Sequence, residues 1–137
     1  MREETVIHKA GGVIIRERSF LVVRARGKDI FVAPGGKLEP GETATQALIR
    51  ELLEETQIEV VEKNLEEVGV FTAKAAGNES QIVIMEVFLV NQYSGHPMPT
   101  NEVEELQWIN SKTTGLNIGS IFEHNVMPIL LERRLID

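Results

Sequence analysis

Apolar residues recur along this chain with two periods, and the switches between them mark its elements. Gln81–Val90 is almost continuously apolar, the pattern of a central strand covered on both faces. Glu86 interrupts it on the face shared by Ile84 and Phe88, and a carboxylate buried there needs a partner. Thr5–Arg16 carries Val6, Ile7, Val13, Ile14 and Ile15 around Gly11-Gly12. Glycines inside a strand mark a bulge or a close approach by another backbone or a ligand. Glu17-Arg18-Ser19 reads as a hairpin turn into a second strand, Phe20–Ala25. Ile30–Ala33 is a short apolar run, and further strands are expected at Leu65–Thr72 and Glu102–Asn110. Ala73–Ser80, rich in small residues, reads as a turn, and Gln92–Asn101, with Gly95, Pro97 and Pro99, as a loop.

Helical spacing appears twice. Thr43 followed by Gln46 reads as a capping box that opens a helix at Ala44, with Ile49, Leu52 and Leu53 as its anchoring face. Ser120 and Glu123 suggest a second box, opening a helix to about Arg133 with Ile121, Phe122, Val126, Ile129 and Leu130 as its stripe. Pro128 should kink that helix or shift its hydrogen bonds. Strands before and after a central helix, and a closing helix, predict an α/β sandwich with a mixed β-sheet, formed by residues 1–137 as a single domain.

Between the apolar run that begins at Ile30 and the first helix lies Ala33-Pro34-Gly35-Gly36-Lys37-Leu38-Glu39-Pro40-Gly41-Glu42. Its prolines and glycines demand a loop of unusual backbone angles. The helix beyond it ends Arg50-Glu51-Leu52-Leu53-Glu54-Glu55-Thr56-Gln57-Ile58. Glu51, Glu54 and Glu55 fall at i, i+3 and i+4, so one side of the last turns holds three carboxylates. Like charges so placed repel, and a hard divalent cation such as Mg²⁺ or Mn²⁺ gives a reason to keep them. A solvated acidic face is the other reading of the glutamates taken alone.

The spacing Gly36, Glu42, then Arg50-Glu51-Leu52-x-Glu54-Glu55 resembles the signature box of the Nudix hydrolases, here residues 36–58, and Pro34-Gly35-Gly36-Lys37 with Gly41-Glu42-Thr43 is similar to the MutT-like branch. Gln57 stands where that box carries Gly, a position suited to a left-handed helix end. The resemblance implies a Nudix-type α/β/α sandwich and an enzyme that hydrolyses the diphosphate linkage of a nucleotide by water attack on phosphorus. It implies Glu54 and Glu55 as chief metal ligands, Glu51 as ligand or base, and the Gly36 carbonyl as a further ligand. Arg50 orients Glu51, and Glu42 braces the loop or a metal-bound water. Glu102, in the loop before the Trp108 strand, is the candidate catalytic carboxylate outside the box, with Glu104 and Glu105 as rivals. Arg24, Arg26 and Lys37 are candidate substrate contacts, and Asn125, on a helix that flanks the base pocket in MutT-like proteins, is the candidate base reader.

Charge and composition narrow this further. The net charge of −7 argues against a nucleic-acid polymer as partner, because that needs a basic patch, while leaving a metal-neutralised nucleotide acceptable. No apolar run approaches the ~20 residues of a membrane span, and cysteine is absent. His8, His96 and His124 lack metal-ligand spacing. A cytoplasmic monomer or homodimer is expected. The favoured substrate is a nucleoside triphosphate, an oxidised purine such as 8-oxo-dGTP among them. ADP-ribose or another nucleotide sugar is the alternative, and a non-catalytic nucleotide sensor the third reading. The loops Lys74–Ser80 and Gln92–Asn101 are expected to set the preference.

Overall fold

Two mixed sheets, rather than one, carry the chain; the computed structural model describes residues 5–75, 78–100 and 102–137. The first has strand order β5-β1-β7-β6. Its members are β1 (Thr5–Val13), β5 (Gly35–Lys37), β6 (Leu65–Ala75) and β7 (Asn78–Val90). β1 and β7 pair in parallel without a register shift from Thr5↔Gln81 to Val13↔Leu89. The glycines of β1 therefore make no bulge. They admit a neighbouring backbone instead: Gly11 lies opposite Gly35 of β5, and a Cβ at Gly35 would sit 2.0 Å from the Ala10 carbonyl oxygen.

The second sheet runs β2-β3-β4-β9, with β8 on the free side of β3. Its strands are β2 (Ile15–Arg16), β3 (Ser19–Ala25), β4 (Ile30–Val32), β8 (Val103–Ile109) and β9 (Asn117–Ile118). The chain thus passes from the first sheet into the second at Ile14, whose carbonyl accepts from the Leu21 N–H.

Successive residues on each strand serve opposite layers. Ala10, Phe88, Val90 and Leu21 pack with Leu48 and Leu52 of α1 (Ala44–Thr56). Val13, Val87, Phe20 and Val22 pack with Phe122, Val126 and Leu130 of the closing helix. This is an α/β/α sandwich. The anchoring face of α1 is shifted from the expected one: Leu48, Leu52 and Ala47 are buried, whereas Leu53 is 49% exposed.

Three further expectations need correction. β7 is buried only from Val87 onward, because α1 covers the Phe88 end and leaves Gln81–Glu86 half-buried. Glu86 there is satisfied by His8 Nε2 at 2.7 Å. The expected turn at Ala73–Ser80 is mostly ladder, since β6 runs to Ala75 and β7 begins at Asn78; residues 76–77, like 101 in the later loop, lie outside the described residues. The closing helix has no capping box. The Glu123 N–H donates instead to the Gly119 carbonyl at 3.0 Å, which makes Ser120 already helical. That helix is a π-helical turn, Phe122–Val126, followed by α2, Met127–Glu132. The Met127 N–H reaches back to the Phe122 carbonyl. Shifting by one residue is how the helix admits Pro128, which has no N–H to give.

Candidate active site

The glycine loop is held to α1 by one arginine. Arg50 donates from Nε to Glu42 Oε2 at 2.8 Å and from Nη2 to Glu42 Oε1 at 2.9 Å, a bidentate fork. It also donates to Glu51 Oε1 at 2.8 Å and to the Lys37 carbonyl at 3.2 Å. The Glu39 N–H adds a second donor to Glu42 at 2.8 Å. The Arg50 hydrogen bonds, then that N–H, pull the Glu42 carboxyl down to about 2. Bonding to Glu42 likewise raises the guanidinium pKa, so this pair stays charged. Thr43 and Gln46 form the expected capping box, which fixes where α1 starts.

α1 then presents Glu51, Glu54 and Glu55 to a cavity of about 420 Å³, whose fourth wall is Glu102. Glu51 comes close to β5 because residue 36 is Gly: a Cβ there would lie 2.6 Å from Glu51 Cδ. Glu55 Oε1 accepts from the Gly35 N–H at 2.8 Å. Glu102 is brought in by its loop, which is stitched to the end of α1. Met98 and Thr100 N–H groups donate to the carbonyls of Thr56 (3.0 Å) and Glu55 (3.3 Å), and the Thr100 hydroxyl donates to the Glu54 carbonyl.

Electrostatics here run opposite to those at Glu42. Burial, outweighing the Gly35 N–H, pushes Glu55 up to about 7, with help from the negative charges of Glu51, Glu102 and Glu54. Burial also raises Glu51, against the pull of Arg50. Four carboxylates around one cavity, two of them held back from ionising chiefly by burial, are a hard-oxygen donor set suited to a divalent cation. Among the described residues no three such groups converge tightly enough to hold an ion as they stand.

The expected substrate contacts divide. Arg24 is engaged, with Glu104 at 3.3 Å, Glu105 at 3.2 Å and the Lys28 carbonyl at 2.9 Å. Arg26 is exposed, and its N–H donates to the Glu102 carbonyl at 2.7 Å. Asn125 is exposed on the π-helical turn and is not among the lining residues of the second cavity near it. That cavity, also about 420 Å³, opens on the α2 side between the two sheets. Its walls include Val32, Met85, Phe122 and Asn117, and Lys9 of β1 stands at its edge. Sequence reading missed Asn117 and Lys9. Asn117 lies between the expected strand Glu102–Asn110 and the helix expected from Ser120, and Lys9 would have needed the β1–β5 register to be known.

Comparison with known proteins matches this arrangement. The NUDIX domain model aligns with residues 6–120. An uncharacterized Nudix hydrolase of Bacillus subtilis, YvcI, is 31% identical over 96 residues, 70% of this chain and 61% of its own length. The chain therefore spans about three-fifths of that relative. The 8-oxo-dGTP diphosphatase of Haemophilus influenzae is 33% identical over 112 residues, 78% of each chain. A crystal structure of a MutT NUDIX hydrolase from Burkholderia pseudomallei superposes with a TM-score of 0.74, covering 94% of this chain and 98% of its own at 23% identity. That likeness is one of fold.

Proposed function

This chain belongs to the NUDIX family, and from that premise we propose that it is a Mg²⁺-dependent pyrophosphohydrolase that cleaves nucleoside triphosphates, oxidised purine nucleotides among them. The observation that carries this reading is the cavity of Glu51, Glu54, Glu55 and Glu102 beside β5, with a separate, largely apolar cavity on the sheet's other side for a nucleoside. Glu51, Glu54, Glu55 and the Gly36 carbonyl are the residues that would hold the metal. Bound there, it supplies charge neutralisation for the diphosphate and a water of lowered pKa.

The protein's own part is positioning. Arg50 and Glu42 fix the glycine loop against α1, which sets the distance between Gly36 and the carboxylates. Glu102, on a loop tethered to α1, accepts a proton from the attacking water at its carboxylate oxygen. The water oxygen bonds to phosphorus as the anhydride P–O bond breaks, and the diphosphate leaves. Phe122 and Met85 offer flat, polarisable contact to a base, and the Asn117 amide a donor and an acceptor for its edge. The similarity to an 8-oxo-dGTP diphosphatase favours a purine. Incubation with Mg²⁺ and separate panels of triphosphates and nucleotide sugars tests the reading. Pyrophosphate and a monophosphate from triphosphates are expected. Two monophosphates from ADP-ribose alone would move the function to nucleotide sugars, and no product from either would make the chain a sensor.

A further inference from the structure

The two edges of the first sheet differ. β6 is its outermost strand on one side and runs 11 residues, whereas β5, on the other, has 3. A short edge strand offers little to pair with, and a long one leaves a row of unpaired backbone groups. A bulge between Glu67 and Gly69 leaves Val68 without a partner on β7, and from Gly69 to Lys74 the ladder is regular. Counted in rungs of that ladder, β6 is symmetric about Phe71, which lies opposite Met85. Val70 and Thr72 lie one rung to either side, Gly69 and Ala73 two, and Glu67 (opposite Phe88) and Lys74 (opposite Ile82) three. Alternate rungs share a face, so Glu67, Val70, Thr72 and Lys74 point the same way, and all four are exposed.

Glu66, just outside this run, is paired with Arg133 at 3.4 Å. Glu67 and Lys74 make no ion pair among the described residues. A lysine on an edge strand keeps other strands away. Here an acid on the same face stands at the symmetric rung, which makes β6 complementary to one partner, itself in the opposite direction. We propose that β6 pairs antiparallel with β6 of a second copy of this chain, about a two-fold axis beside Phe71. Glu67 then faces Lys74 of the second copy, twice over by symmetry, and Val70 faces Thr72 of the second copy. Opposite charges and β-branched residues so placed are pairs that stabilise antiparallel strands. On the other face the two Phe71 side chains meet at the axis. A Cβ at Gly69 would lie 2.8 Å from Phe71 Cζ, so each ring lies along its own strand and leaves the axis clear. Ala73, Lys74 and Ala75 also line the second cavity, so the partner strand braces one wall of it, whatever that cavity takes. One strand pair is small beside the ~1,600 Å² of a standard interface, and both copies carry a net charge of −7. The dimer is therefore reversible, with a Kd on the order of 10 μM.

The test is sedimentation velocity on the full chain from about 1 to 300 μM, a range that brackets that Kd. It compares the unaltered protein, Glu67→Lys, Lys74→Glu, the double reversal, and an equimolar mixture of the two single variants. The unaltered chain should pass from monomer to dimer across the range. Each single reversal sets like charges opposite each other at both rungs and should weaken the dimer at least about tenfold. The double reversal should return the Kd to within about threefold of the original. The mixture should form a heterodimer more tightly than either variant self-associates, because every facing pair is again opposite in sign. Melting temperatures in dilute solution should stay within about 2 °C, since both side chains are exposed. A chain still monomeric at the top of the range would overturn the proposal. So would a dimer that ignores both reversals, which would form through another face, or a loss that neither the double reversal nor mixing repairs.

Discussion

Glu42 and Glu55 are the same residue type, close along the chain, and they titrate in opposite directions. Glu42 takes both arms of the Arg50 fork and a backbone N–H, and its carboxyl falls to about 2. Glu55 has one N–H, from Gly35, is half-buried, and rises to about 7 through desolvation and the charges of Glu51, Glu102 and Glu54. The first carboxylate is satisfied by the protein and can hold the loop. The second is not, and what it lacks is positive charge. Satisfaction by internal partners separates these two acids, and sequence spacing by itself does not; the proposed function leaves the unsatisfied one for a cation.

The largest effects should come from neutralising the unsatisfied side. Glu54→Gln or Glu55→Gln is expected to lower kcat by about a hundredfold or more, on the order of 2.7 kcal/mol of barrier. The metal-free melting temperature should hold or rise. Glu42→Gln should do the reverse: it strands the Arg50 fork, so the melting temperature falls, and activity declines only as the loop loosens. A steep fall in metal-free melting temperature for Glu55→Gln would erase the distinction between the two sites.

Glu102 extends the comparison beyond α1. It lines the glutamate cavity, while Glu104 and Glu105 are paired with Arg24, and Glu105 is pulled down by Gln107 and then Arg24. Glu102→Gln should therefore lower kcat at least about tenfold, or ~1.4 kcal/mol. Glu104→Gln and Glu105→Gln should leave kcat within about twofold, since exposed ion pairs are worth little. Three similar, small effects would return the base role to the glutamates of α1.

Without metal, the two acids also predict opposite slopes of stability with pH. Glu55 is raised in the folded state, so its contribution is fully present below its unfolded value of 4.5 and is lost as pH rises through about 7. Glu42 is lowered, so its contribution is present above 4.5 and is lost as pH falls toward about 2. Metal-free melting temperature should thus fall between pH 5 and 8, and Glu55→Gln should flatten that decline. An unchanged slope in Glu55→Gln would show that some other group sets it.

The helix, its capping box and the three glutamates were legible because each is local: caps and i, i+3, i+4 spacings lie within one turn or two. Even there the buried face was misplaced by Leu53, because the orientation of α1 is set by Ala10, Leu21 and Phe88 from distant strands. What pairing decides was not legible. Lys9 reads as an ordinary polar residue in a strand until β5 places Lys37 opposite it. Asn125 has the right chemistry on the expected helix, but the π-helical turn that admits Pro128 leaves it exposed, while Asn117 reaches the cavity through a two-residue strand. The carboxylates that pair with Arg24 are 80 or more residues away in sequence.

The smallest effect tests the exit from α1, where Gln57 replaces the glycine of the box. Its backbone is left-handed, φ 64° and ψ 15°, and its N–H donates to the Leu53 carbonyl at 3.1 Å. Buried Thr56 and Ile58 flank it, so the chain cannot relax there without moving core residues. A non-glycine residue in that region costs roughly 1–2 kcal/mol, and glycine gives back part of the relief through its freer unfolded chain. Gln57→Gly should therefore stabilise by about 0.5–1 kcal/mol, a rise of about 2–4 °C. Gln57→Val, β-branched, should destabilise by more than that. Since Gln57 is exposed and touches none of the carboxylates' hydrogen bonds, kcat should stay within about twofold for the glycine variant. A loss of stability in both variants would mean that the Gln57 side chain, rather than its backbone angle, decides what this position tolerates.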